Sequence, residues 1–321
     1  VRSGDEGFSG PCGRPGVRAR RGLRANHEAD ALGIEGAATT RVSWRKGHLR
    51  RESPQSAESG HAESGYDGGI AMSGSERLLE NAEAVISVLV ENTAARPDLK
   101  AEHGLSFWIH TRRAQVLFDT GQGAAFSHNA AALGIPLEEA EAFVLSHGHY
   151  DHTGGLAHAL DRNKAARVFL HPGATIARYS KHADGTVHSI GMPKPVRNAL
   201  DAAAGRIAWT RGPVEVAAGM WATGSIPRET AFEDTGGDFF LDAQAREPDL
   251  IPDDQALWFE TSKGIVVVLG CAHSGVVNTL NHIAALTGVR DSYAVIGGMH
   301  LRRASATLWA ATVAALERFH V

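Results

Sequence analysis

From Ala84 onward the apolar positions fall into short runs with two different periods. "AVISVLVEN", "LSFWIHT" and "AQVLFDTG" are rich in β-branched and aromatic residues and are bounded by turn formers, which predicts three strands. "AFSHNAAALG" predicts a short helix that stops at Gly134. "AFVLSHG" predicts a buried strand, "TGGLAHAL" the opening of a helix, and "ARVFLHP" another strand. Residues 173–213 show no sustained period and read as an irregular cap. "PVEVAAGMWATGSI" predicts two more strands, and "QALWFETSKGIVVVLGCAH" a hairpin turning at Lys263 and Gly264. "SGVVNTLNHIAALTG" is a helix, "SYAVIGGMH" a strand and "SATLWAATVAALERF" a closing helix. Hairpins separated by helices predict an α/β chain with two packed sheets and helices outside.

Residues 1–71 have a different character. Gly, Arg and Ser recur without an apolar period, so this stretch cannot offset its chain entropy by burial. It is expected to be disordered, or a non-native extension, with Met72 as the natural start and residues 72–321 as one domain. A transit peptide is the rival reading, against which the many acidic residues argue.

Composition narrows the classes. Apolar residues make up 43% and charged residues 21%, enough for a sizeable core. A net charge of −4 gives no reason to expect nucleic acid or a polybasic membrane patch. Apolar runs such as "IVVVLG" reach about six residues, whereas a bilayer span needs roughly 20. Two cysteines, Cys12 and Cys271, exclude a disulfide framework and a CxxC zinc cluster. The cysteine count fits a reducing cytoplasm, and a homodimer is allowed.

The chemistry concentrates in "LSHGHYDHTGGL". His147, His149, Asp151 and His152 follow an apolar strand and therefore sit on the loop at its end. In extended geometry alternate residues share a side, so His147 and His149 can grip one ion. Asp151 and His152 then turn toward a second position. Imidazole and carboxylate suit Zn, Fe or Mn, and two adjacent ions can activate a bridging water. Asp119, His273 and His300 also end apolar strands, which points to one shared rim. Asp119 before Thr120 and Gly121 also suits a plain turn.

This combination resembles the metallo-β-lactamase superfamily, with its HxHxDH motif and four-layer αββα sandwich. The resemblance covers about residues 80–321. It implies that His147 and His149 hold a first metal, that Asp151 and His152 hold a second with His300, and that Asp119 orients a ligand from behind. The middle of the chain departs from the common pattern. "ATGSIPR" lacks a histidine and "LGCAHSG" stands where a bridging aspartate is expected. His273 is read as the replacement first-metal ligand, with His171 as its rival. Cys271 is either a thiolate ligand or a small buried hydrophobe. "EHGLSFWI", "IPR", "DDQALWF", "GCAHSGVVNTL" and "IGGMHL" resemble the dihydropterin-aminobenzene-ribofuranosyl phosphate synthase-like branch.

The implied cofactor is zinc, two ions or one, with Mn or Fe as alternatives. The implied function is a metallo-hydrolase acting on a small phosphorylated, ester or pterin-like substrate, with Asp151 and Asp119 as catalytic candidates. The alternatives are a synthase-type transferase and a non-catalytic, metal-containing ligand sensor. A di-iron redox module is disfavoured, because His149 stands where such relatives carry Glu. Substrate-anion candidates are Arg228, Arg178 with Lys181, His171 and, at a helix N-terminus, Ser274 with Gly275.

Overall fold

The computed structural model describes residues 82–321 except position 95, together with Leu79 and the backbone of Val42–Arg45 and His48–Leu49. The expectations for the rest of the tail and for a start at Met72 lie outside the described residues. In chain order the strands are β1 (Val42–Arg45), β2 (His48–Leu49), β3 (Ala84–Val90), β4 (Ser106–Thr111), β5 (Gln115–Phe118), β6 (Ala142–Val144), β7 (Arg167–Leu170), β8 (Tyr179–Lys181), β9 (Val187–Ser189), β10 (Ile207–Trp209), β11 (Val214–Ala217), β12 (Met220–Ala222), β13 (Phe239–Phe240), β14 (Leu257–Thr261), β15 (Gly264–Leu269) and β16 (Ser292–Gly297). The described helices are α1 (Ala124–Ala132), α2 (Tyr150–Thr153), α3 (Leu156–Arg162), α4 (Lys194–Ala202), α5 (Val276–Thr287) and α6 (Ala306–Arg318).

Two main sheets form. One runs β10-β7-β6-β5-β4-β3-β1-β2 and the other β11-β12-β14-β15-β16, while β13-β8-β9 makes a small third sheet. The pleat explains how they pack. Phe107 and Ile109 of β4 join Phe118, Val144 and Phe169 in a core shared with Met220, Leu257, Phe259 and Val266 of the opposite sheet. Trp108, between Phe107 and Ile109, points the other way and packs with Phe126, Leu156 and Leu160 of the helices. The second sheet does the same, with Val267 and Leu269 packed on Val276, Leu280 and Ile283 of α5. Both faces of each sheet are therefore covered, and the strands read as continuous apolar runs. The result is the αββα sandwich. Among the described residues no helix is long and apolar enough to cross a membrane.

Two departures from the sequence reading have physical causes. β1 pairs antiparallel with β3, so six residues of the expected disordered tail have regular backbone structure. Without β1, β3 would present an open edge of unpaired N–H and C=O groups, and "VSWR" suits such pairing. The stretch 173–213 also holds more order than expected. α4 buries only Val196 and Leu200, so its apolar period is too thin to see. Its two prolines, Pro193 and Pro195, fall at the helix start, where proline is tolerated. β10 then extends the first sheet in parallel beside β7.

β5, β6, β7 and β10 run parallel, so the loops after β5, β6 and β7 leave from one rim. β15 and β16 are parallel to each other and bring Cys271, His273 and His300 to that rim from the second sheet. Gly270 marks the contact between the sheets there. A Cβ on it would meet Ser146 Oγ at 2.2 Å and Asp119 Oδ2 at 3.4 Å, so only glycine fits.

Candidate metal centre

Three non-glycine residues on this rim, Asp119 (φ 58°), Ala272 (φ 53°) and His300 (φ 48°), adopt left-handed backbone conformations. Each such residue costs on the order of 1–3 kcal/mol and tends to mark a functional site. Two of them are residues that the sequence reading singled out.

His147, His149 and His273 converge. Nε2 of His147 lies 3.0 Å from Nδ1 of His149 and 3.2 Å from Nε2 of His273. The outer nitrogens decide which atoms carry protons. Ser146 has one hydroxyl proton, and it points to the Asp119 carboxylate, Oγ to Oδ2 at 2.7 Å. Nδ1 of His147, 2.8 Å from the same Oγ, must then be the donor. Nδ1 of His273 donates to the Thr235 carbonyl at 2.7 Å. The inner Nε2 atoms of His147 and His273 are left as lone pairs. Burial, then the neighbouring charged groups, holds all three imidazoles well below the usual range, so they are neutral. Lone pairs facing each other at about 3 Å repel unless a cation sits among them, so these residues fit a metal ion. Nε2 of His149 is buried without a protein partner, and the His149 ring packs on Phe239 with centroids 5.1 Å apart.

A second grouping lies alongside. His152, His147 and Cys271 offer donor atoms within 4.8 Å of one another, as do Cys271, His273 and His300. Nε2 of His152 is 3.0 Å from Cys271 Sγ, and its Nδ1 is 2.7 Å from Asp119 Oδ2. Burial opposes a charged His152, but the Cys271 sulfur and the Asp119 carboxylate outweigh it and push its pKa well above the usual value. Burial pushes the Cys271 thiol up, and His152 pulls it back. His300, more exposed, tilts against His273 with centroids 4.6 Å apart.

The other expected residues divide. Asp119 accepts from Ser146 N–H and Oγ–H and from His152. Asp151 stays outside the convergent groups. Its Oδ2 is 3.9 Å from His152 Nε2 and 3.2 Å from Nε2 of the exposed His103. His171 is not gathered with the other histidines, and its Nδ1 accepts from Gly173 N–H.

Three of the anion candidates, Arg178, Arg228 and the Ser274 N–H, are already bonded within the protein. Arg178 is fully buried and ion-paired to Asp253 and Asp249. Arg228 donates to the carbonyls of His273 and Glu233, bracing the His273 loop. Ser274 N–H donates to Asp254 at 2.7 Å. The α5 N-terminus does attract an anion, but it is Glu233, whose two oxygens take the N–H groups of Val277 and Asn278. Gly275, at φ 100°, has no room for a Cβ, which would meet the Glu233 carboxylate at 2.2 Å. Ser146 escaped the sequence reading, because a lone serine carries no metal-type pattern of its own. Ser146 had a signal in its place directly before the motif. A separate cavity of about 990 Å³, lined by Arg112, Arg113, Trp221, Trp258 and Lys263 among others, sits at the opposite strand ends and contains none of the convergent donors.

The Metallo-beta-lactamase superfamily model matches residues 99–281, and the chain belongs to that superfamily. Within it, the chain is similar to 7,8-dihydropterin-6-methyl-4-(beta-D-ribofuranosyl)-aminobenzene-5'-phosphate synthase of Methanocaldococcus jannaschii. The two are 29% identical over 231 residues, covering 69% of this chain and 78% of the relative. An uncharacterized protein of the same organism is 29% identical over 218 residues, covering 68% and 79%. The crystal structure of Tm1679, a metal-dependent hydrolase of the beta-lactamase superfamily, matches with a TM-score of 0.59 and 29% identity, covering 74% of this chain and 84% of that one.

Proposed function

We propose that the chain is a metal-dependent enzyme that hydrolyses a small phosphorylated, ester or pterin-like substrate. The convergence of the His147, His149 and His273 nitrogens carries this reading. Those three would hold one ion, and His152, Cys271 and His300 would serve a second position. Imidazole with a thiolate suits zinc best among the candidate metals. An ion held there supplies Lewis acidity and a nucleophilic water at neutral pH. Asp119 fixes His152 directly and His147 through Ser146. Phe239 packs its ring on His149 and His273 and keeps bulk water from their faces. Asp151 lies outside the convergent groups, which leaves its carboxylate available to take a proton. His103 Nε2, 3.2 Å away and exposed, can pass that proton to solvent. Residues 173–213 supply the covering side, where Ile190 and Gly191 bond back to Tyr150 and His149.

A synthase-type transfer is the second reading, favoured by similarity to the phosphate synthase. The test is to incubate zinc-loaded protein with bis(p-nitrophenyl) phosphate and an aryl ester. In parallel it is given a phosphorylated dihydropterin with 4-(β-D-ribofuranosyl)aminobenzene 5'-phosphate. Hydrolysis that His147→Ala abolishes supports the first reading. A condensed product without hydrolysis supports the second. Neither activity in fully metallated protein counts against both.

A further inference from the structure

Three consecutive polar side chains before β14, Asp253, Asp254 and Gln255, are shut away from solvent at 0–1% exposure. Burying two carboxylates and an amide is costly unless their bonds serve a purpose. Each of the three bonds a loop that carries one or more of the converging histidines. Asp253 Oδ2 accepts the N–H of Gly148, the residue between His147 and His149, at 2.9 Å. Gln255 gives its N–H to the Ser146 carbonyl at 3.0 Å and its Nε2 to the Leu145 carbonyl at 2.7 Å. Asp254 Oδ2 accepts the N–H of Ser274, next to His273, at 2.7 Å. One rigid tripeptide thus grips the His147–His149 loop of the first sheet and the His273 loop of the second. Asp253 also bonds Arg178, whose carbonyl accepts from Ile190 N–H, and the Ile190 carbonyl in turn accepts from Tyr150 N–H.

The cost of this arrangement is visible. Arg178 Nη1, Asp254 Oδ1 and Gln255 Oε1 are buried without partners. A plain turn before β14 would need none of these groups. A set of ring nitrogens from two different sheets does need an external gauge, because small shifts of either loop open the donor set.

We propose that Asp253 and Asp254 are positioning residues that set the spacing between the His147–His149 pair and His273, so that the three nitrogens are ready for one ion. This rests on the three-histidine metal site proposed above. Asp249 provides a matched control. It is also buried, at 3% exposure, and pairs with the same Arg178, with Nε and Oδ2 3.3 Å apart, yet its side chain bonds no histidine loop.

The test is a cobalt(II) titration of the full chain, followed by the visible d–d band, for the wild type, Asp253→Asn and Asp249→Asn. Asn offers one oxygen where Asp offers two, so it cannot accept from both Gly148 and Arg178. Asp253→Asn is expected to weaken the tightest cobalt site by about 10–100-fold and to shift its band, as loss of a ligand-orienting partner does elsewhere. Asp249→Asn is expected to stay within about threefold. Equal weakening in both variants, or none in Asp253→Asn, overturns the proposal. If Asp253→Asn does not fold, Asp254→Leu replaces it under the same criteria. A wild type that binds no cobalt would instead overturn the three-histidine reading itself.

Discussion

Asp119 Oδ2 and His152 Nδ1 lie 2.7 Å apart, with both side chains at 1% exposure or less. The same carboxylate reaches His147 through the Ser146 hydroxyl, so one acidic group orients two candidate ligands whose ring centroids lie 4.3 Å apart.

That geometry makes Asp119→Asn informative. The amide would present a donor where an acceptor is needed and would free the His152 ring. Affinity for the ion near His152 and Cys271 is expected to fall about 10–100-fold. Competition titration with a chromophoric chelator measures it; an unchanged affinity would remove Asp119 from the account.

Glu233 caps α5 from outside the helix, with Thr230 Oγ1 donating to the same carboxylate. Glu233→Ala leaves two helix N–H groups without their acceptor. It is expected to destabilise the fold by about 1–2 kcal/mol. Thermal unfolding of metal-free protein checks this, and Gly275→Ala should be at least as damaging.

Burial pushes the Asp254 carboxyl up to about 7. In the unfolded chain the group ionises near its ordinary value of 3.8. Between those values the folded state holds the extra proton, so the contribution of Asp254 to stability declines as pH rises. Asp254→Asn cannot ionise. Its stability relative to the wild type should therefore climb from pH 4 to pH 7 and level off above. The total change is on the order of 4 kcal/mol. Denaturant melts across that range measure it. A constant difference would mean that Asp254 ionises normally.

Cys271 is expected to bind metal as a thiolate beside His152. Cobalt-loaded protein should then show a sulfur-to-metal charge-transfer band that Cys271→Ser lacks. The same band in both proteins would return Cys271 to the role of a small buried side chain.

Much of the gathering of candidate donors was legible in the sequence because residues of metal-ligand type recur there at close spacing and at strand ends. His147 and His149 lie on the loop after β6, as the motif suggested, whereas Asp151 and His152 lie in the short helix α2 rather than on that loop; strand ends flagged Asp119, His273 and His300. The αββα layering followed from short apolar runs whose alternate residues face a second sheet or a helix, as Phe107 and Trp108 do. What stayed hidden depends on long-range pairing. Arg178 looks like a free cation in "ARYSKH", and only the fold brings Asp249 and Asp253, more than 70 residues on, to neutralise it. The α5 N-terminus reads as an open anion site until Glu233 is seen to fill it. Helix α4 hid because two buried residues are too few to set a period.

The most direct test of the central claim is elemental analysis of the purified protein by mass spectrometry, for the wild type and for His147→Ala with His149→Ala. The wild type, prepared with metal present, should carry one to two zinc ions per chain. The double variant should remain folded and lose at least the ion shared with His273. Full metal content in the double variant, or none in the wild type, would contradict the assignment of these histidines.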